Sequence, residues 1–342
     1  MTKQQTVLVT GGFGYVGSRL TPHLLDLGYK VRVVDLCLYG MYGYDALTPK
    51  QKENLEFLKQ DIRNPEAVHK AMKGIDTVIH LAAISNDPTG DVDERLTRQV
   101  NFDAVGLLLS VAKKSGVKRF INASSSSVFG IKHESDVTEE LEPEPLTAYS
   151  RYKMLSEWLV VSASSPEFTT VNVRPATICG YSPRQRFDLT VNKLTADALR
   201  KKLITVHGGQ QRRPNVGMED MINLYGNLIE TKSELINGKT FNFGFENLKV
   251  IEIAELIKSE LRDLPVEIKV TSTTDNRDYH ITSKKVLNTI NYKPVSSIAK
   301  EVMNLRKQLD GGKFADIDAP DHYNMKVMKL DRSHKPYQFL SQ

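Results

Sequence analysis

The first half of the chain alternates short apolar runs with longer amphipathic stretches. The apolar runs predict strands, at residues 6–10, 30–35, 54–60, 76–81, 118–123 and 169–174. The amphipathic stretches predict helices, at residues 16–27, 65–73, 93–115 and 147–164. A strand–helix–strand rhythm with strands that are apolar throughout is typical of a parallel sheet covered by helices on both faces. We therefore predict an α/β fold with a doubly wound parallel sheet.

The regular alternation of predicted strands and helices ends after Arg174. Residues 175–187 and the polar stretch 208–214 are interpreted as loops, while 189–201, 219–231, 250–262 and 296–309 have helical patterns. Strands are predicted at 240–243 and 266–270, and the residues beyond Gly311 carry no strong pattern, which suggests a tail that packs late. Ligands of doubly wound sheets bind at the carboxyl ends of the strands. A smaller C-terminal α/β lobe placed there would shape a substrate cleft.

The composition is that of an ordinary folded chain of 342 residues, long enough for two domains or for one domain with a large lobe. The net charge of +5 is spread along the sequence and by itself does not separate a small anionic ligand from nucleic acid. Cys37 and Cys179 are far apart, and the eight histidines lack metal-ligand spacing, so we expect neither a disulfide nor a metal site. A polar N-terminus and the lack of a long apolar run favour a cytoplasmic protein without a membrane segment.

A glycine-rich turn, TGGFGYVG at residues 10–17, follows the first predicted strand and opens the first predicted helix. Gly11, Gly14 and Gly17 would allow a tight turn and a close approach of the backbone to a pyrophosphate, with the helix N-terminus facing the anion. A turn without a ligand is the alternative, which the strand–turn–helix context disfavours. The motif predicts a dinucleotide-binding domain over residues 1–176, to which 215–246 return. Residues 177–214 and 247–342 then form the substrate-binding lobe.

Asp35 ends the second predicted strand. A carboxylate at this point accepts hydrogen bonds from both ribose hydroxyls of an adenosine and repels a 2′-phosphate, so it favours NAD over NADP. The alternative is an aspartate that only initiates a turn. Arg32, three residues earlier on the same strand, leaves a dual-specific cofactor site open.

Tyr149 and Lys153 lie four residues apart in a predicted helix and therefore share one face. An unperturbed tyrosine is about 0.1% ionised at pH 7, so using it as a base costs roughly 4 kcal/mol. A lysine ammonium and an oxidised nicotinamide are positive charges that could supply this shift in pKa. The pair by itself occurs often by chance. The serine run at residues 124–127 follows the fifth predicted strand, however, and would bring hydroxyls to the edge where the nicotinamide is expected.

Together these motifs resemble the extended short-chain dehydrogenase/reductases, specifically the NAD-dependent nucleotide-sugar epimerase/dehydratase group, over about residues 6–310. The resemblance rests on the glycine run, Asp35, DI at 61–62, HLAA at 80–83, Asn101, SSSSVFG at 124–130, YSRYK at 149–153 and NVRP at 172–175. It implies a Rossmann fold, bound NAD and a nucleotide-diphosphate-sugar substrate. It also implies a homodimer formed through the predicted helices 93–115 and 147–164, with no nucleic-acid or membrane partner.

By this resemblance Tyr149 is the general base, Lys153 lowers its pKa and holds the nicotinamide ribose, and Ser125 hydrogen-bonds the reacting sugar hydroxyl. The implied cofactor-binding residues are Gly11, Gly14, Tyr15, Val16, Gly17, Asp35, Asp61, Ile62, Leu81, Ala82, Ala83, Asn101, Tyr149, Lys153 and Pro175. The implied substrate residues are Ser125, Ser126, Asn86, Asn192, Arg213 and Arg277, the last three near the diphosphate. Arg184 and Arg186 add positive charge near the expected cleft.

The reaction is suggested by the two residues after Ser125. The family's dehydratases carry acidic residues there, whereas this chain has Ser126 and Ser127, which cannot act as carboxylic acids. The resemblance therefore favours 4-epimerisation through a transient 4-ketosugar. A net 4-dehydrogenase or a 4-ketosugar reductase acting on a nucleotide-activated deoxysugar or heptose is the alternative. A non-catalytic dinucleotide-binding protein is disfavoured because Tyr149 and Lys153 are both present.

Overall fold

Seven parallel strands form the main sheet of this computed structural model, which describes residues 4–134, 136–273, 278 and 280–330. Their spatial order is β10-β6-β5-β4-β1-β2-β3. The strands are β1 Thr6–Thr10, β2 Lys30–Asp35, β3 Leu55–Lys59, β4 Thr77–His80, β5 Arg119–Ala123, β6 Thr169–Pro175 and β10 Lys239–Phe243. This order confirms the predicted doubly wound parallel sheet of the Rossmann type.

The helices flank this sheet and build the lobe. They are α1 Gly17–Asp26, α2 Tyr42–Asp45, α3 Pro49–Lys52, α4 Pro65–Met72, α5 Asp87–Gly90, α6 Glu94–Arg98, α7 Ala104–Lys114, α8 Ala148–Ser162, α9 Thr190–Lys201, α10 Met218–Glu230, α11 Ser233–Ile236, α12 Val250–Glu260, α13 Lys284–Ile290, α14 Ile298–Asp310 and α15 Asn324–Lys329. The predicted helix 93–115 is interrupted, because a π-helical turn at Gln99–Asp103 separates α6 from α7. Such turns place an extra residue in the helix and recur at functional sites.

The core lies on both faces of the sheet. On the central strand β1, Val7 and Val9 pack on one face in the same cluster as Leu24 of α1. Leu8 packs on the other face in the same cluster as Leu108 of α7, and all of these side chains are at most 1% exposed. A strand buried on both faces must be apolar at every position, which explains the run TVLVT.

The chain after residue 176 also contains two smaller sheets, and the sequence patterns missed all but one of their strands. A three-stranded sheet has the order β11-β9-β7, with β7 Thr177–Cys179, β9 Arg212–Gly217 and β11 Glu246–Lys249, and β8 Leu203–His207 pairs with β12 Glu267–Thr271. The interpretation of 175–187 and 208–214 as loops throughout is therefore wrong. Polar and proline residues in β9 hide its strand character, which depends on backbone pairing with β11, distant in sequence. The division into two domains stays a prediction, although β10 does pair with β6 in the main sheet.

The segment after Gly311, up to residue 330, packs against the rest of the chain. It forms a short 3₁₀ turn at Pro320–His322 and then α15. His322 and Val327 are buried, and Met328 joins the core cluster that contains Leu8. This part of the chain closes over the carboxyl edge of the main sheet, next to the site described below.

Candidate active site

A deep crevice runs along the carboxyl ends of β1, β2, β4 and β5, between the main sheet and the lobe. The structure brings most of the predicted site residues to its walls. Those that line it are Gly11, Gly14, Tyr15, Val16, Gly17, Asp35, Asp61, Ile62, Leu81, Ala82, Ala83, Asn86, Ser125, Ser126, Tyr149, Lys153 and Pro175.

The glycine turn forms the floor of the crevice between β1 and α1. Gly11 has a φ of +71°, and a Cβ on it would lie 2.7 Å from the backbone nitrogen of Ala82. A Cβ on Gly17 would lie 2.2 Å from the carbonyl oxygen of Gly11. A Cβ on Gly14 meets only the Gly11 carbonyl oxygen, at 3.4 Å. Gly11 and Gly17 therefore close the turn, and Gly14 leaves open space for a ligand beside the helix N-terminus.

Asp35 lies at the end of β2, where its carboxylate is held by the glycine turn. Its oxygens accept hydrogen bonds from the backbone N–H of Phe13 at 2.9 Å and of Cys37 at 2.7 Å. Burial raises the pKa of the Asp35 carboxyl, and these two hydrogen bonds oppose that shift. Each oxygen keeps acceptor capacity for a further donor, such as a ribose hydroxyl.

Tyr149 lies in the first turn of α8, whose start is fixed by the loop after β4. The Thr147 side chain caps the helix by accepting the Ser150 N–H at 3.1 Å and donates to the Asp87 carboxylate at 2.7 Å. Gly90 of α5 packs directly on Tyr149, since a Cβ there would lie 2.7 Å from the tyrosine Cβ. These contacts leave the Tyr149 side chain 8% exposed on the wall of the crevice.

Lys153 is 4% exposed, one turn further along α8, and its Nζ donates to the Ala123 carbonyl at 2.6 Å. Burial lowers the pKa of Lys153 to about 8, although Glu157, one turn on, favours the charged form. Burial and the Lys153 charge also lower the pKa of His80 in β4, to about 3. The imidazole is therefore neutral at physiological pH and bonds the Thr10 hydroxyl at 2.7 Å. Lys153 therefore supplies the positive charge near Tyr149, and His80 does not.

Ser125 lies just after β5 and caps the 3₁₀ turn Ser126–Phe129, where its Oγ accepts the Ser127 N–H at 3.2 Å. Buried polar side chains of the neighbouring elements hold this turn in place. Glu157 accepts a hydrogen bond from the Ser124 hydroxyl and forms an ion pair with Arg174 at 2.7 Å. A buried carboxylate and guanidinium are stable only when paired and hydrogen-bonded, so this arrangement fixes α8 against β5 and β6. Ser125 and Tyr149 thus line one crevice from two elements that are locked together.

Three predicted site residues do not line the crevice. Asn101, in the π-helical turn, uses its amide to bond both the N–H and the carbonyl of Ile84, each at 2.9 Å, and so shapes the loop after β4 from behind. Asn192 is fully buried and donates to the Tyr15 hydroxyl at 2.9 Å. Arg213 is 9% exposed in β9, where its guanidinium bonds the Arg212 carbonyl at 2.9 Å.

Asn192 and Arg213 are thus absent from the lining of this crevice, and their expected contacts with the diphosphate stay a prediction. Both side chains satisfy buried polar groups of the protein itself, which a sequence motif does not distinguish from ligand binding. Arg277, the remaining predicted substrate residue, lies outside the described residues.

Several crevice residues escaped the sequence reasoning. Tyr225 of α10 lines the crevice and is 1% exposed, and its burial, together with the nearby Tyr149, raises the pKa of its hydroxyl. Tyr39 and Asn324 line the opposite end, far from each other in sequence. The helical pattern of residues 219–231 marked Tyr225 only as a core position. No sequence signal pointed to Asn324.

The lining fits NAD. The floor offers a glycine turn without side chains at a helix N-terminus, Asp35 offers acceptors for a ribose, and Tyr149 with Lys153 stands at the other end. Among the described residues, no group of three His, Cys, Asp or Glu side chains could hold a metal ion. In the same part of the chain, no helix is both long and apolar enough to cross a membrane.

Comparison with known proteins identifies the family. The model of the NAD-dependent epimerase/dehydratase family matches residues 7–244. The uncharacterized protein y4nG of Sinorhizobium fredii is 36% identical over 178 residues, which are 52% of this chain and 42% of that protein. The uncharacterized UDP-glucose epimerase YtcB of Bacillus subtilis is 29% identical over 313 residues, 87% of this chain and 96% of YtcB.

A solved structure extends this likeness to the fold. The UDP-glucuronic acid 4-epimerase of Bacillus cereus, in complex with UDP-glucuronic acid and NAD, superposes with a TM-score of 0.76 at 25% identity, covering 89% of this chain and 99% of that one. The family match spans more than half of the 342 residues, from β1 to just past β10. The chain belongs to the NAD-dependent epimerase/dehydratase family, and NAD is its cofactor.

Proposed function

We propose that this enzyme epimerises a nucleotide-diphosphate sugar at C4, through transient oxidation to a 4-ketosugar. The observation that carries the proposal is the convergence of Tyr149, Lys153 and Ser125 on one crevice wall, with serines at positions 126 and 127. NAD supplies the hydride chemistry by accepting a hydride and returning it. The residues of the chain bind and orient the sugar, and they move its hydroxyl proton.

Tyr149 is the proposed general base at the sugar hydroxyl. Its hydroxyl must lose a proton near neutral pH, although the ordinary pKa of a tyrosine is about 10. Lys153 supplies a buried positive charge one helical turn away, where low dielectric makes the charge effective. In this proposal Ser125 holds the same sugar oxygen, and its fixed place at the head of the 3₁₀ turn sets that oxygen's position.

Water elimination requires an acid beside the sugar, and the turn after β5 offers none. Ser126 is 2% exposed, and Ser127 hydrogen-bonds the Ser125 hydroxyl at 2.8 Å. Asp87, the carboxylate of the loop after β4, is engaged by the Thr147 hydroxyl. This set of residues supports reversible oxidation at C4 over dehydration.

The reaction class is tested by NMR of the purified protein mixed in turn with UDP-, GDP-, CDP- and dTDP-sugars, without added NAD or NADH. We expect one sugar to be converted to its C4 epimer over many turnovers with no net change in reduced-nicotinamide absorbance. Conversion only when NAD or NADH is added in stoichiometric amount would replace epimerisation by the net dehydrogenase or reductase reaction. A dehydrated product would contradict the argument from Ser126 and Ser127.

Tyr149→Phe tests the assigned base. Removing one phenolic oxygen should lower the turnover number about 10²- to 10⁴-fold, the usual contribution of general acid–base catalysis, while the Kd for NAD stays within about threefold. Tyr152→Phe is a matched control, because Tyr152 lies on the same helix and bonds Glu94 at 3.1 Å, away from the crevice lining. Turnover in the Tyr149 variant that equals the control would rule out this mechanism.

The homodimer also belongs to the proposal. On α8, Trp158 is 57% exposed and Val161, three residues on, is 38% exposed, so an apolar patch faces away from the sheet. A large apolar side chain in solvent is stabilised by burial against a partner. We assign a second copy of the chain to this face, because the family resemblance implies a homodimer through this helix and the apolar patch is exposed on it.

A further inference from the structure

Arg184 is a buried guanidinium without a carboxylate partner among the described residues. Its side chain is 1% exposed and lines the crevice. One Nη donates to the Asn324 side-chain oxygen at 2.6 Å, and the guanidinium lies over the Tyr39 ring, 3.9 Å from its centroid. Burial lowers the pKa of Arg184 to about 10, which still leaves it charged at neutral pH.

Two buried donors at this point have no hydrogen-bond partner. They are the Nε of Arg184 and the hydroxyl of Tyr39. The carboxylates nearby are already engaged, since Asp188 is bonded twice by Arg186, at 2.9 and 3.0 Å, and Asp35 accepts two backbone N–H groups. A buried charge with an unsatisfied donor is costly unless an anion compensates it. The anion has to come from the crevice.

The position of this pair selects the anion. Tyr39 follows Asp35 by four residues, so the site adjoins the place expected for the adenosine ribose, and the glycine turn lines the same crevice. We propose that Arg184 and Tyr39 bind the diphosphate of NAD together with the glycine turn. A guanidinium fork suits phosphate oxygens, and the Asp35 carboxylate disfavours a 2′-phosphate at the same site. This inference depends on NAD binding and not on which sugar the enzyme takes.

Asn324 positions Arg184 and comes from residues 320–329, which we call the strap. Its side-chain amide also donates to the Ser85 hydroxyl at 2.9 Å, and its backbone N–H donates to Asp188 at 3.2 Å. At the other end of the strap, Asp321 accepts the Tyr42 hydroxyl at 2.9 Å. The strap therefore ties the loops after β2 and β4 together over the cofactor crevice. In this proposal these contacts open before NAD leaves, so that the strap retains the cofactor between turnovers.

The first experiment compares Arg184→Gln with Arg262→Gln, an exposed arginine outside the crevice lining that gives the same change in charge. Binding of NAD, ADP-ribose, adenosine and UDP is measured on nucleotide-free protein by ligand-observed NMR competition. A lost charged hydrogen bond corresponds to about a 10- to 100-fold increase in Kd. We expect that increase for NAD and ADP-ribose with Arg184→Gln, and less than threefold changes for adenosine, for UDP and for every ligand with the control.

Unchanged NAD affinity in Arg184→Gln would overturn the proposal, and so would an equal loss for adenosine. A loss for UDP alone would assign the arginine to the substrate diphosphate instead. Tyr39→Phe provides an independent reading, because it removes one hydroxyl and keeps the ring under the guanidinium. It should weaken NAD and ADP-ribose binding by about three- to tenfold, and unchanged binding would exclude Tyr39 from the site.

The strap is tested by the NAD that remains bound after gel filtration, released by heat and quantified by chromatography. Asn324→Ala should lower this retained fraction and raise the dissociation rate of NAD about tenfold or more, measured at a temperature well below the melting temperature of the nucleotide-free variant. Asn324→Asp, which places a carboxylate on Arg184, should weaken NAD binding further because it competes with the diphosphate. Equal NAD dissociation rates in wild type and both variants would contradict the positioning role.

Discussion

Replacing Lys153 by methionine should change how the stability of the nucleotide-free protein depends on pH. The methionine keeps the length of the aliphatic stem and removes the ionisable group, which is 4% exposed in the native protein. Burial lowers the pKa of Lys153 from 10.5 to about 8. Between pH 8 and pH 10.5 the lysine is protonated in the unfolded chain and deprotonated in the native protein. The free energy of unfolding of the wild type therefore rises with pH through that window.

The size of the effect follows from the two pKa values. Between pH 7 and pH 9.5 the lysine should add about 2 kcal/mol to the free energy of unfolding of the wild type. The Lys153→Met variant lacks this contribution. Its lost hydrogen bond to the Ala123 carbonyl changes stability equally at both pH values and cancels in the comparison. All other titrating groups are shared by the two proteins.

Urea unfolding at pH 7 and at pH 9.5, followed by far-UV circular dichroism, gives the difference between the two proteins at each pH. We expect the wild type to gain about 2 kcal/mol relative to the variant between the two pH values. The variant should also lose nearly all turnover, because the positive charge beside Tyr149 is gone. Parallel pH dependence of the two proteins would show that Lys153 is not desolvated in solution, and the electrostatic argument for the base would then fail.

Two further predictions concern the glycine turn and the dimer. Gly17→Ala should raise the Kd for NAD at least about tenfold, because its Cβ would lie 2.2 Å from the Gly11 carbonyl oxygen. The control Gly106→Ala, whose Cβ has its nearest neighbour at 3.8 Å, should leave the Kd unchanged and stabilise α7 by up to about 1 kcal/mol. Calorimetric titration and thermal melts compare the two variants, and equal NAD affinity would refute the packing argument. Trp158→Glu should convert a dimer into monomers in sedimentation velocity, and an unchanged sedimentation coefficient would move the interface away from Trp158 and Val161.

The sequence by itself determined the local features of this protein. Strands buried on both faces must be apolar throughout, a turn beside a pyrophosphate must be free of side chains, and two residues four apart on a helix must share a face. These requirements act within a few residues. They are the reason that the parallel sheet, the Gly11–Gly17 turn and the pairing of Tyr149 with Lys153 could be predicted, and the structure contains each of them.

Only the tertiary structure decided which polar side chains face the crevice. Asn192 and Arg213 matched a sequence motif, but they form hydrogen bonds with Tyr15 and with the backbone of β9. Asn324 matched no motif, and it lines the crevice. A buried polar group must find a partner, and whether that partner is the protein or a ligand depends on segments far apart in the chain. The guanidinium of Arg184 shows this directly, because its neighbours come from positions 39 and 324, which only folding brings together.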